Sequence, residues 1–181
     1  TLKDTFASVM STVKSRALQL KISISEKQIL EGISKVSATV FNNFKGNVKQ
    51  LAAAVVEATK FGTSLDQMNQ AGMNLLDFES SISKEFEAQL LTGKQIDLSR
   101  TRQLALTGST RELMQDIMGQ LGSWQQWNDY NVLKQQSLAE AFGLTKEAVD
   151  EIFKKQEMAR LLGAQAAADD QTRYQALVNQ G

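Results

Sequence analysis

The residues of this chain that could do chemistry are mainly carboxylates. The sequence has no histidine and no cysteine, which removes the commonest general base, the commonest metal ligand and every thiol nucleophile. Acidic candidates remain at Glu79, Glu85 and Glu87 in one predicted helix and at Asp169 and Asp170 further on. Paired carboxylates can transfer protons or bind a metal. Without a histidine beside them, we interpret these as solvated helix faces, and we expect no enzyme, no metal site and no cofactor.

Two arginines form a second candidate site. Arg100 and Arg102 follow a predicted helix start, where positive charge and free backbone N–H groups could hold an anion. Acidic partners are close in sequence at Asp97 and Glu112. We favour ion pairs with these two residues over an anion site.

Three aromatic residues form the candidate protein-interaction site. Trp124 and Trp127 lie three positions apart in a short predicted helix, and Tyr130 follows them. Trp and Tyr dominate the hot spots of protein interfaces, so these side chains could anchor a partner. They could equally fill the core of the domain, and of the two interpretations we favour the core.

The composition points to helices throughout. The 181 residues include no proline, the residue that breaks helix interiors. Twenty basic and twenty acidic residues cancel to a net charge of zero, so no basic nucleic-acid-binding surface is indicated. No apolar run reaches the roughly 18 residues of a membrane span. The chain does not begin with methionine, and we infer that it is part of a longer protein.

Glycines and polar caps divide the chain into helices. Seven glycines sit where an apolar helical stripe ends: Gly46, Gly62, Gly93, Gly108, Gly122, Gly143 and Gly163. Capping boxes are predicted where a Ser precedes a Gln or Glu by three residues: Ser25 with Gln28, Ser64 with Gln67, Ser109 with Glu112, and Ser123 with Gln126. The pattern predicts an all-α, multi-helix bundle of about seven or eight helices joined by short Gly-capped corners and flanked by more extended helices.

Three regions follow from this division. Residues 1–24 are expected to form an N-terminal helix and a connection, with Lys21–Ser25 as the connection. Residues 25–163 are expected to form a compact helical domain whose first helix runs from Ser25 to Gly46. Residues 164–181 are expected to be an Ala/Gln-rich helical tail with a weak apolar face.

The segment 75–93 is predicted to form a strongly amphipathic helix. Leu75, Ile82, Phe86 and Leu90 fall at helical spacing with polar residues largely between them, and Gly93 suits the left-handed turn at its end. We expect the rest of the chain to be arranged around this helix.

Two corners, 61–64 (FGTS) and 142–145 (FGLT), look alike and suggest the helix-turn-helix of DNA-binding proteins. The second helix of such a motif enters the major groove and needs cations. After the later corner it would present Lys146 together with three acids, Glu147, Asp150 and Glu151, which repel phosphates. We favour structural corners and expect no specific nucleic-acid binding.

Three blocks of sequence resemble one known family. They are LAAAVVEATKFGTSLDQ at 51–67, LLDFESSISKEFEAQLLTGKQIDLSRTRQLALTG at 75–108, and LAEAFGLTKEAVDEIF at 138–153. In this order they are similar to a segment of the tail tape measure proteins of large tailed bacteriophages. The resemblance covers about residues 38–153, and its middle block is the most specific.

The resemblance implies a structural role. Tape measure proteins lie in the lumen of the phage tail tube, set the length to which tube subunits polymerise, and are released ahead of the DNA at infection. The implied partners are other copies of the same chain and tail tube proteins, and the implied location is the virion after synthesis in the host bacterial cytoplasm. It implies no small-molecule substrate. Two alternatives stay open: a helix-turn-helix-like nucleic-acid-binding module, and a helical partner-binding or ejected virion protein.

Overall fold

Helices account for nearly all of the chain in the computed structural model. The structure describes the backbone of residues 2–22 and 24–180 and, among these, the side chains outside 2–4, 164–171 and 180. Eleven helices follow in this range: α1 (Leu2–Leu20), α2 (Glu26–Ser34), α3 (Ala38–Asn43), α4 (Val48–Phe61), α5 (Leu65–Leu75), α6 (Phe78–Thr92), α7 (Ser99–Thr107), α8 (Thr110–Leu121), α9 (Trp124–Asp129), α10 (Val132–Ala141) and α11 (Lys146–Gln180). The described residues contain no strand, and the predicted all-α multi-helix bundle is confirmed.

Helix α4 lies between two hydrophobic cores and contributes side chains to both. All eight residues from Leu51 to Ala58 are buried. Leu51 and Val55 face the main core, which α5, α8, α10 and α11 complete, while Ala52 and Val56 face a smaller core under α1 and α2. Four alanines in this stretch let helices approach α4 closely from both sides, and close approach is what gives a core its dispersion energy.

The two Phe-Gly corners pack against each other reciprocally. Gly62 and Gly143 both have left-handed backbones, with φ of +76° and +78°. A Cβ on Gly62 would lie 2.7 Å from the carbonyl oxygen of Ile152, and one on Gly143 would collide with the carbonyl oxygen of Ala71. Ala71 is nine residues after Gly62, and Ile152 is nine residues after Gly143. Each corner therefore contacts the helix that follows the other corner, and in both cases the contact lies nine residues after the glycine of that other corner.

Side-chain amides reinforce the same contact from both sides. Asn74 donates to the carbonyl oxygen of Gly143 at 2.8 Å, and Gln156 donates to the carbonyl oxygen of Phe61 at 2.7 Å. The two bonds satisfy carbonyls near the C-terminal ends of α10 and α4, which have no partner within their own helices.

Six of the seven predicted glycine stops are confirmed by a left-handed or positive-φ backbone, and the seventh is wrong. Gly163 lies inside α11, which continues across the predicted boundary at 163 to Gln180. Five of the six confirmed glycines are followed within three residues by the start of another helix, and Gly93 is followed by a non-helical connection to α7, whereas Gly163 is followed by Ala164, Gln165 and further helix formers. A glycine without a capping residue after it only weakens a helix.

The predicted capping boxes have three outcomes. Those at Ser25 and Ser123 are confirmed with both reciprocal bonds. At Ser64 the hydroxyl accepts from the backbone of Gln67, but the Gln67 side chain accepts from Thr63. At Ser109 the side chain makes no capping bond, so that box is wrong.

The single helix predicted from Ser25 to Gly46 is wrong, because the chain breaks between α2 and α3. Ser37 starts α3 by accepting from the backbone N–H of Val40, and its own N–H donates to the carboxylate of Asp66. Residues of the predicted apolar stripe are buried on both sides of this break, Ile29 in α2 and Val40 in α3. The predicted connection at 21–25 is confirmed where the structure describes it, with residue 23 outside the described range.

Replacing Gly143 by alanine tests the reciprocal corner. The new Cβ would meet the Ala71 carbonyl on a left-handed backbone, so we expect Gly143→Ala to lower the free energy of unfolding by about 2–3 kcal/mol. The matched control is Gly119→Ala in α8, where a Cβ would have open space and should raise the stability by about 0.5–1 kcal/mol. Urea unfolding followed by circular dichroism measures both. Equal stabilities would contradict the reciprocal packing.

Candidate functional site

The apolar face predicted for the segment 75–93 points into solvent. Along α6, the side chains of Phe78, Ile82, Phe86 and Leu90 are 47, 55, 64 and 70% exposed. The expectation that the rest of the chain packs around this face is therefore wrong. Leu75, the first residue of the predicted stripe, is buried but belongs to α5.

Small side chains on the opposite side of α6 hold it to the body. Ser81 and Ala88 are the buried residues of this helix, and α6 packs mainly on α10, where Ser137 and Ala141 are also buried. Small residues on both helices allow their backbones to approach closely. Periodicity marks the apolar face of a helix, but the two small residues seven positions apart were the signal for the face that docks.

A buried ion pair fixes α6 in this orientation. Arg102 of α7 donates to the hydroxyl of Ser81 at 3.0 Å and to Glu85 at 2.7 Å. The other oxygen of Glu85 accepts the backbone N–H of Leu98 at 3.2 Å. The Arg102 and Glu85 side chains are 13 and 14% exposed, so a rotation of α6 would leave both charges without partners in a poorly solvated place.

The exposed face of α6 carries negative charge only. Glu79 and Glu87 are exposed and each follows directly after an exposed phenylalanine, with Ser83 between them. The single lysine of this helix, Lys84, is half-buried on the other side. The structure thus presents an apolar row bordered by two carboxylates.

The three aromatic candidates are separated by the fold. Trp127 is 2% exposed, and its indole N–H donates to Asp150 at 2.8 Å. Burial alone would raise the pKa of Asp150, but hydrogen bonds from Lys146 and Trp127 hold it below its ordinary value. Tyr130 packs against the main core, whereas Trp124 is 39% exposed. Of the three, Trp124 alone has a ring open to a partner.

Both candidate arginines form ion pairs, but the predicted partners are wrong. Arg102 pairs with Glu85, and Arg100 lies 3.9 Å from Asp116. The reason is tertiary: α7 is inserted beside α6 and α8, which bring these acids closer than the neighbours in sequence. Asp97 instead caps the backbone of Ser99, and these hydrogen bonds lower its pKa.

A buried glutamate that the sequence analysis missed joins three helices. Glu57 of α4 is 3% exposed and accepts bonds from Arg111 at 2.7 Å and Gln115 at 2.6 Å, and Arg16 of α1 lies 3.0 Å away. Burial alone would raise the pKa of Glu57, but the bonds from Gln115 and Arg111 and the charges of Arg111 and Arg16 outweigh it and lower the pKa. A lone acid inside the apolar run LAAAVVEA was the available signal.

Other surfaces of the described chain offer less chemistry. An open groove of about 720 Å³ lies between the α3–α4 and α7–α8 connections, but Arg111 on its wall is bonded to Glu57 and Asn43 to Thr110. Among the described side chains, no three acidic groups lie together in a way that could hold a metal ion. The side chains of Asp169 and Asp170 lie outside the described set. None of the described helices is both long and apolar enough to cross a bilayer.

Comparison with protein-family models, with curated proteins and with solved structures finds no match to this chain.

Substitutions of the two tryptophans should change the free energy of unfolding by different amounts, because Trp127 lies in the core and Trp124 lies at the surface. We expect Trp127→Phe to lower the free energy of unfolding by about 2 kcal/mol, because it opens a cavity and leaves Asp150 without the indole donor. The control, Trp124→Phe, should change it by less than about 0.5 kcal/mol. Urea unfolding measures both, and similar losses would contradict the separation.

The buried carboxylate of Glu57 should make stability depend on pH. A lowered pKa contributes stability that is present above the unfolded pKa and is lost as the pH falls through the folded one. We expect Glu57→Gln to cost about 2 kcal/mol at neutral pH. The difference from wild type should shrink as the pH falls below the ordinary glutamate pKa and through the lowered pKa of the folded protein, because the wild-type side chain then becomes protonated.

The control for this experiment is Glu112→Gln, an exposed acid on α8. Denaturant unfolding at a series of pH values should show little change for this variant. A Glu57→Gln penalty that stays constant down to acid pH would contradict the assigned charge state.

Proposed function

We propose that this chain is a non-enzymatic structural domain of a phage tail tape measure protein. The observation that carries the proposal is the outward apolar row of α6. This row lies within the most specific block of the resemblance, 75–108, and core packing does not account for its large apolar side chains. A solvent-facing row of that kind is typical of an assembly surface.

The shape of the chain is compatible with a protein whose length sets the length of the tail. Helix α11 has 35 residues and is therefore about 52 Å long at 1.5 Å per residue. Val149, Ile152 and Phe153 in its first part are buried, whereas Met158, Leu161 and Leu162 are exposed. An unsupported helix with exposed apolar residues is marginal in water, so this second part suits contact with neighbouring molecules in a tail.

In this proposal the partners are other copies of the chain and the proteins of the tail tube. The location is the lumen of the tube in the virion. The domain would occupy a defined length of the tube and leave ahead of the DNA. The row of α6 and the second part of α11 are the two surfaces we propose for contacts in the tail, the row of α6 with a protein other than a second copy of this chain.

The geometry weighs against the helix-turn-helix alternative. The second helix of the first corner, α5, has Leu65, Met68, Ala71 and Leu75 buried, and it packs against α7 and α8. Its exposed residues, Gln70, Met73 and Asn74, include no cation that could face the phosphates of a DNA groove. After the second corner, the N-terminal cation Lys146 is bonded to Asp150. The exposed row of α6 instead favours the other alternative, a partner-binding module, which differs from the proposal only in the assembly that it serves.

Shortening the parent protein tests the proposal that its length sets the length of the tail. Removing whole helical turns from residues 158–179 in the parent reading frame should shorten tails by about 1.5 Å per residue deleted. Electron microscopy of purified particles measures the tail length over a series of such deletions. The control is Leu177→Ser, which changes an exposed residue of the same segment and leaves the length of the chain unchanged. Tails of constant length across the deletions would remove the proposal.

A further inference from the structure

The exposed row of α6 has the dimensions of a single helix. Phe78, Ile82, Phe86 and Leu90 follow one another every four residues, so the row covers about 18 Å along α6 and advances about 40° around the helix at each step. Since a large aromatic side chain presents roughly 150–250 Å², the four leave on the order of 400 Å² of apolar surface open at their exposed fractions of 47 to 70%. A patch of this size on a monomer is commonly an interaction site.

The charges beside the row are uncompensated. Glu79 and Glu87 are exposed on the same side of the row, and neither forms an ion pair with another described residue. On the other side, Glu85 is already neutralised by Arg102 at 2.7 Å. The surface therefore offers an apolar strip with negative charge along one edge, and the single lysine of α6, Lys84, lies half-buried on the other side of the helix.

Charge and area disfavour a second copy as the occupant. In an antiparallel two-fold pairing of two α6 helices the same edge of each row meets, so Glu79 of one copy would approach Glu87 of the other, and like charges repel. The open area is also about half of the roughly 800 Å² per partner that a stable protein–protein interface buries. Both features suit a smaller, oppositely charged ligand.

We propose that the outer face of α6 binds an amphipathic helix of a partner protein, whose apolar row is bordered by lysine or arginine. The apolar row of the partner packs between Phe78 and Leu90, and its cations lie opposite Glu79 and Glu87. Docking of an amphipathic helix through the apolar residues of one face is a common recognition mode. The inference does not depend on the tail assignment, because it uses only the face of α6.

Two synthetic helical peptides test the proposal. Both carry leucines every four residues; one has lysines beside the leucines and the other has glutamates at the same positions. We expect the lysine peptide to bind the 181-residue chain with a micromolar dissociation constant and the glutamate peptide at least about tenfold more weakly. Raising the salt concentration should weaken the lysine peptide selectively. Fluorescence anisotropy of labelled peptides measures all of these.

Variants of the chain assign the binding to this face. Glu79→Lys combined with Glu87→Lys should reverse the preference in favour of the glutamate peptide. Phe86→Ser should weaken both peptides at least about tenfold. The matched control is Leu106→Ser on α7, which removes a side chain that is 66% exposed outside α6 and should leave binding unchanged. Because all of these positions are exposed, circular dichroism should show an unchanged fold.

Four outcomes would overturn the proposal. The first is no peptide binding, and the second is equal binding of both peptides that the double reversal does not change. The third is self-association of the chain, measured by sedimentation, that Phe86→Ser abolishes and that the lysine peptide does not displace. In that case a second copy of the chain occupies the face. The fourth is binding of the chain to phosphatidylcholine vesicles that depends on Phe86 and prevents the peptide from binding. In that case the face is a lipid contact.

The outcome for the tail assignment is separate. If the peptides fail but deletions in α11 shorten tails, the proposed function stands and this inference falls. If the peptides bind as expected but the tails keep their length, the inference stands and the proposed function falls.

Discussion

Two contacts between a glycine and a carbonyl oxygen set the arrangement of the other helices. Gly62 lies against Ile152 and Gly143 against Ala71, so α4 and α5 cross α10 and α11 at distances that any side chain would prevent. The main core is enclosed by these four helices with α7 and α8. Helix α6 packs on α10, and its outward face therefore depends on corners in which it takes no part.

Side-chain size, more than hydrophobicity, decides which faces meet in this protein. The alanines of α4 accept helices on two sides, and α6 docks through Ser81 and Ala88 while its phenylalanines stay outside. Close backbone approach makes many weak dispersion contacts. Two sets of charged side chains in the interior form ion pairs: Arg102 with Glu85, and Glu57 with two arginines. These pairs lock the rotation of helices whose small contact residues would otherwise permit several orientations.

Most helix boundaries were predictable because they depend on neighbours in sequence. Ser25 and Asn47 cap their helices through bonds to residues three positions on, and glycine turns need no distant partner. The failures were of two kinds. Gly163 lacks a capping residue after it, so the helix continues. The break between α2 and α3 is held partly by Asp66, a residue 29 positions away from Ser37, and no local pattern contains that information.

By itself the sequence determined that the chain is helical, where nearly every helix begins, and that its chemistry lacks histidine and cysteine, because these properties depend on residue type and short-range spacing. It also marked the apolar row of α6 and the aromatic residues at 124, 127 and 130. Only the tertiary structure decided that the row faces solvent and that Trp127 faces the core. The physical reason is that periodicity defines a face, whereas burial depends on which other helix offers a matching surface at close range.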